Sequence, residues 1–98
     1  MERRIHPRIY HPMPLTVQGT GFAFETVTEN VSAGGLLSRS RRVFAAGDKL
    51  DFRIKFAIAG SQAEETPNLA AQGIVTRVRR LGDGTCEFAA KFTRRVLF

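Results

Sequence analysis

Leu50-Asp51-Phe52-Arg53-Ile54-Lys55-Phe56-Ala57-Ile58 decides the fold class. Leu50, Phe52, Ile54, Phe56 and Ile58 recur at every second position, and Asp51, Arg53, Lys55 and Ala57 fill the gaps. Period two sends alternate side chains to opposite faces of a strand, and a helix needs a period of 3.6. The stretch is therefore a β-strand with one apolar face. Gly47-Asp48 reads as the turn before it, and the polar, acidic stretch 60–68, with Pro67 near its end, reads as the loop after it.

The same signals recur on both sides. Met13, Leu15 and Val17 alternate with Pro14, Thr16 and Gln18, and Gly19-Thr20-Gly21 is a turn. Phe22 to Val31 is rich in β-formers, with Phe22 and Phe24 on one face and Ala23, Val27 and Val31 on the other. Gly34-Gly35 breaks that run, and Gly35 to Ser40 is a short strand. Ala70 to Leu81 is a longer one with a mixed pattern, which predicts a bend or burial on parts of both faces. Gly82-Asp83-Gly84 is a hairpin turn. Thr85 to Thr93 follows, with Cys86, Phe88, Ala90 and Phe92 inward and Glu87, Ala89 and Lys91 outward. Six short strands separated by glycine-containing turns, with no convincing helix, predict an all-β barrel or sandwich.

A chain of 98 residues makes one domain, and 43% hydrophobic residues suffice for a modest single core. The net charge is +6, from 12 Arg and 3 Lys against 9 acids. That balance points to an anionic partner: a nucleotide, nucleic acid, an acidic protein or a membrane surface. The preference for Arg over Lys suits flat, two-pronged recognition of phosphate and of guanine O6 and N7. Cys86 stands alone, so no internal disulfide forms, and its phase with Phe88 reads as buried packing. No apolar run is long enough to span a membrane, and the first residues lack the apolar centre of a signal peptide. A reducing cytoplasm is the expected compartment. His6 and His11 have no Cys or carboxylate cluster beside them, so no metal site is expected. Ser32 and Cys86 lack the His-plus-acid support of a nucleophile, so no catalytic residue and no enzymatic activity are expected. Arg77, Arg79 and Arg80 read as an exposed basic strand face or a second anion patch.

Residues 1–12 differ from the rest. His6-Pro7 and His11-Pro12 bias the chain to extended geometry and against a helix. The segment reads as an extended, flexible arm leading into a barrel over 13–93. It carries Arg3, Arg4 and Arg8, and at roughly 3.3 Å per residue the last two stand about 13 Å apart. Further on, Asn30-Val31-Ser32-Ala33-Gly34-Gly35 sits between two strands. Asn30 and Ser32 share a parity, so both can face the same way. Asn offers an amide to a guanine edge, and the Ser hydroxyl can donate to phosphate. Gly34 and Gly35 permit a sharp turn and close approach of a ligand, and Gly35 is expected at positive φ or directly against that ligand.

Arg4-Ile5-His6-Pro7-Arg8 followed by Asn30 to Gly35 has the form RxxxR then (D/N)xSxxG. On these paired motifs the chain resembles the PilZ domain family, and the likeness covers about residues 3–93. The resemblance implies a six-stranded antiparallel β-barrel with an extended N-terminal arm. It implies a receptor for cyclic di-GMP, with Arg4 and Arg8, Asn30, Ser32 and Gly35 at the ligand and Arg3 as an added cation. It implies no cofactor beyond that ligand, and a downstream protein partner. Many members end in a helix packed across the barrel. Here the chain stops five residues after Thr93, so 94–98 read as a short tail whose apolar Val96-Leu97-Phe98 packs back on the barrel or meets another surface. Two rivals remain. A small barrel binding single-stranded nucleic acid would show aromatics exposed on adjacent strands. A PilZ-like adaptor would bind protein without nucleotide.

Overall fold

The alternating faces read from the sequence become the inside and the outside of a closed barrel. The computed structural model describes residues 8–55 and 68–97. Its strands are β1 (Pro14–Gly19), β2 (Phe22–Ser32), β3 (Gly35–Ser40), β4 (Lys49–Lys55), β5 (Asn68–Arg80) and β6 (Cys86–Leu97). They run in the order β1-β2-β3-β6-β5-β4, all antiparallel, and β4 returns to β1 through Leu15↔Ile54 and Val17↔Phe52. Closure leaves no edge strand to pair with another chain.

Small barrels are filled by side chains. Leu15, Val17, Leu50, Phe52, Ile54, Val75, Phe88, Ala90 and Phe92 fill this one, and Cys86 is buried among them. The inward sets expected for β4 and β6 are therefore the observed ones. Phe56 to Ile58 and the loop expected over 60–67 lie outside the described residues.

One residue not assigned to any strand completes the core. Phe44, in the connection between β3 and β4, is buried, with its ring 5.0 Å from Phe88, 5.9 Å from Phe22 and 6.2 Å from Phe24. It stops one mouth of the barrel. Arg42 lies over the Phe22 ring, 3.8 Å from its centroid, a cation–π contact beside this cluster.

Two bulges explain where the reading of faces fails. Val27 and Val31 were expected on one face, yet Val27 is half exposed and Val31 is buried. The pairing of β2 with β3 steps from Thr28↔Ser38 to Asn30↔Leu37, which leaves Glu29 as an extra residue. A bulge of this kind reverses the phase of every residue after it. On β5 the register shifts between Val75 and Arg77, so Val75 is buried and Val78 packs partly against the core although they are three positions apart. This is the predicted bend.

The end of the chain also departs from expectation. β6 continues through the supposed tail to Leu97, pairing Val96 with Ala70 and Leu97 with Leu69. The partners are the first residues of the long β5, whose backbone groups would otherwise be unpaired. The arm is tied down from its described part onward. Ile9 and Val31 exchange two backbone hydrogen bonds of 2.7 and 2.9 Å, and Met13 exchanges bonds with Thr28. The flexibility expected over 1–12 has this docking at its C-terminal end.

Candidate ligand-binding site

The two motifs meet on the outside of the barrel. The docking at Ile9 brings Arg8 alongside β2, and its Nη1 donates a 2.8 Å hydrogen bond to Asn30 Oδ1 across 22 positions of sequence. The Asn30 amide nitrogen is thereby left as a donor, and the guanidinium keeps further N–H groups for a ligand. Arg8 is exposed and Asn30 half-buried at the surface. Arg3 and Arg4 lie outside the described residues.

The bulge at Glu29 makes this meeting happen. In an unbroken strand Thr28, Asn30 and Ser32 would share a face, and Thr28 is buried. The extra residue turns Val31 inward instead, so Asn30 and Ser32 face outward together. The Ser32 hydroxyl accepts from the Gly34 N–H at 3.2 Å, which fixes the turn and leaves the hydroxyl proton for donation. The Gly34 carbonyl accepts from the Phe92 N–H at 2.9 Å, anchoring the turn to β6.

Gly35 departs from one of its two expectations, the positive φ. Its φ is not positive; the positive-φ glycines among the described residues are Gly21, Gly47 and Gly84. A Cβ at Gly35 would instead strike the carbonyl oxygen of Ala90 on β6. Glycine is needed there because β3 and β6 come too close for a side chain.

The floor beside the motifs follows from register. Leu37 stands next to Asn30, and Ala89 next to Leu37. Gly35 stands next to Ser32, and Lys91 next to Gly35. Small or apolar groups thus separate Asn30 and Ser32 on β2 from an exposed Lys91 on β6, about 10 Å away at two strand spacings. Lys91 makes no ion pair among the described residues. Arg39 and Arg79 differ: Arg39 Nε lies 2.7 Å from Glu29 Oε1, and Arg79 Nη2 lies 3.0 Å from Glu87 Oε1. Among the described residues, the cations beside the motifs that are available to an anion are Arg8 and Lys91. Sequence reading missed Lys91 and the Glu29–Glu87 network, because only cross-strand register puts them beside the motif.

The network shifts its acids in opposite directions. Burial, then the neighbouring Glu87, raises Glu29 above the usual carboxylate range, while Arg39 opposes the rise. The hydrogen bond with Glu29, then Arg79, holds Glu87 below it, against its own burial. At the β5–β6 turn, hydrogen bonds from the Thr85 hydroxyl and N–H hold Asp83 low. Among the described residues no three His, Cys, Asp or Glu side chains stand together as metal ligands. No helix among them is long and apolar enough to cross a membrane.

The PilZ domain family model matches residues 2–96, nearly the whole chain. The chain belongs to the PilZ domain family. A solved structure of the Bacillus subtilis inhibitor of motility, MotI/DgrA, superposes with a TM-score of 0.80 at 18% sequence identity. The superposition covers 98% of this chain and 45% of that one, so the chain spans less than half of its structural neighbour. At that identity the likeness is one of fold. No curated protein sequence matches. Cyclic di-GMP is the ligand of the PilZ family.

Proposed function

We propose that this PilZ domain is a cytoplasmic receptor for cyclic di-GMP, a binding and signalling unit and not an enzyme. The observation that carries the reading is the Arg8–Asn30 hydrogen bond, which joins two motifs far apart in sequence into one exposed cluster of donors. Arg8 takes a phosphate or the O6/N7 edge of one guanine, and the free Asn30 amide and Ser32 hydroxyl add donors beside it. Arg3 and Arg4 complete the cationic arm over the ligand. Lys91 faces the ligand's far side. Binding gathers the arm's charges onto the barrel and changes the surface offered to a protein partner.

The nucleic-acid reading loses support. The barrel's Phe rings at 44, 52, 88 and 92 are buried, and Phe22 and Phe24 pack partly against the core. Among the described residues Tyr10 is the one aromatic among the exposed large side chains, which is no stacking platform.

Calorimetric titration with cyclic di-GMP, GTP and a short oligonucleotide, run side by side, tests the proposal. Cyclic di-GMP should bind at micromolar Kd or tighter, about −8 kcal/mol. Arg8→Ala should lose about 1–3 kcal/mol, and Arg8→Lys nearly as much, because an ammonium cannot form the two-pronged contact. Absence of heat with cyclic di-GMP would overturn the function. Wild-type affinity in Arg8→Lys would reduce Arg8 to a point charge.

A further inference from the structure

The bulge that turns Asn30 and Ser32 outward needs an explanation of its own, because it interrupts the ladder between β2 and β3. Its extra residue, Glu29, does not point into solvent. Oε1 accepts from Arg39 Nε at 2.7 Å, and Oε2 is buried with no hydrogen-bond donor. A buried carboxylate oxygen without a donor is costly. The candidate partner is another acid: Glu87 on β6 is the cross-strand neighbour of Arg39, the residue that binds Glu29, and the two carboxyls act on each other electrostatically. Two carboxylates cannot bond each other, but a carboxylic acid and a carboxylate can. One proton on Glu29 satisfies the orphan oxygen and bridges β2 to β6 over the top of β3.

We propose that Glu29, bridged to Glu87 by a shared proton and clamped by Arg39, holds the β2 bulge in place and is a positioning residue for the ligand-binding Asn30 and Ser32. The inference deepens the cyclic di-GMP reading and rests on it for the ligand. Among the described residues, the charged groups around the bridge are accounted for. Arg39 on β3 binds Glu29, Arg79 on β5 binds Glu87 at 3.0 Å, and Asp83 in the β5–β6 turn acts on Arg39 only at longer range. Glu87 stays ionised as the acceptor, with Arg79 beside it. Loss of the bridging proton puts two negative charges together at the root of the bulge, and Arg39 offsets them incompletely.

The sign follows. An acid raised in the folded state contributes its full stabilisation below its ordinary value of 4.5, and loses it as pH rises through the raised value. The bulge is therefore firmest below that ordinary value and loosens as pH rises through the raised one. Ligand affinity should fall over the same range. Glutamine at position 29 imitates the protonated acid: its carbonyl accepts from Arg39 and its amide donates to Glu87.

The test is one pH series, from 4.5 to 8, on wild type, Glu29→Gln and Glu29→Ala, with Arg8→Ala as the control for the ligand reading. Asn30 and Ser32 amide shifts are recorded without ligand, and cyclic di-GMP affinity by calorimetry. Wild-type shifts and affinity should change together through the titration of Glu29. Glu29→Gln should be flat in that component and bind at least as tightly at the alkaline end of the series. Glu29→Ala should lose at least about tenfold in affinity while Glu29→Gln keeps it. Should Glu29→Ala fail to fold, the contrast between wild type and Glu29→Gln decides alone. Amide shifts that move with pH in the wild type and not in Glu29→Gln, in a protein that binds no cyclic di-GMP, would support the positioning and overturn the ligand. Identical pH profiles in wild type and Glu29→Gln would overturn the positioning, whatever the ligand does.

Discussion

Gly35 carries two meanings that the sequence cannot separate. A glycine at the end of NxSxxG suggests a turn at positive φ or a ligand laid on the backbone. The structure assigns it to a close approach of two strands, where a Cβ would meet the Ala90 carbonyl. Carbonyl oxygen in a ladder cannot swing aside as a flexible side chain can. Gly35→Ala should therefore cost about 1–3 kcal/mol of stability, the usual range for forcing atoms into a packed site. Urea denaturation measures it, and an unchanged midpoint would show that β6 yields freely there. Ser32 and Asn30 sit at the opposite extreme. Their residue types are chemically informative, and their orientation was expected from parity, but the reason for that orientation is one residue upstream in Glu29.

At the scale of the element, the bulge on β2 and the Phe44 connection matter most. Regular strands from this sequence would put Asn30 inside and Val31 outside; one extra residue reverses both. The β3–β4 connection shows the same dependence on context. Gly47, at φ 97°, and the Asp48 carboxylate, accepting from the Ala45 N–H at 2.9 Å, bend it so that Phe44 enters the barrel. Phe44 touches Phe22, Phe24 and Phe88, on both halves of the sheet order. Phe44→Ala should cost about 3–5 kcal/mol, as for other buried Phe truncations. The loss should appear in the unfolding rate or midpoint, with the Arg8–Asn30 site still formed in the folded fraction. A loss below about 1 kcal/mol would mean that the mouth of the barrel collapses onto the gap.

At the scale of the whole molecule, the site proposed for a dianion lies on a surface that the fold of a closed barrel builds, in a chain of +6 net charge. Arg8, Asn30, Gly35 and Lys91 come from the arm and three strands, so the unfolded chain holds no site. Ligand should then stabilise by mass action, about 2.7 kcal/mol at one hundred times Kd. For a domain of this size that corresponds to a rise in Tm of about 10 °C or more. Thermal melting with and without cyclic di-GMP checks this, with Arg8→Ala expected to show little rise. A stable protein whose Tm ignores ligand would contradict binding to the folded barrel.

Period two in Leu50 to Lys55 and in Cys86 to Phe92, glycine turns between strands, and the paired motifs were enough to determine the strands, the barrel class and most of the candidate site. Those signals are local: a side chain's face and a turn's glycine are set by the residues next to them. The rest was decided by contacts between distant residues. The bulges at Glu29 and near Thr76, the strand through 94–97, the plug of Phe44, and the Glu29–Glu87 bridge each depend on which strand lies alongside. Even Gly35 follows that rule, since its requirement comes from Ala90, more than fifty positions away. Register is a property of pairs of strands, and a single strand's sequence does not contain its partner.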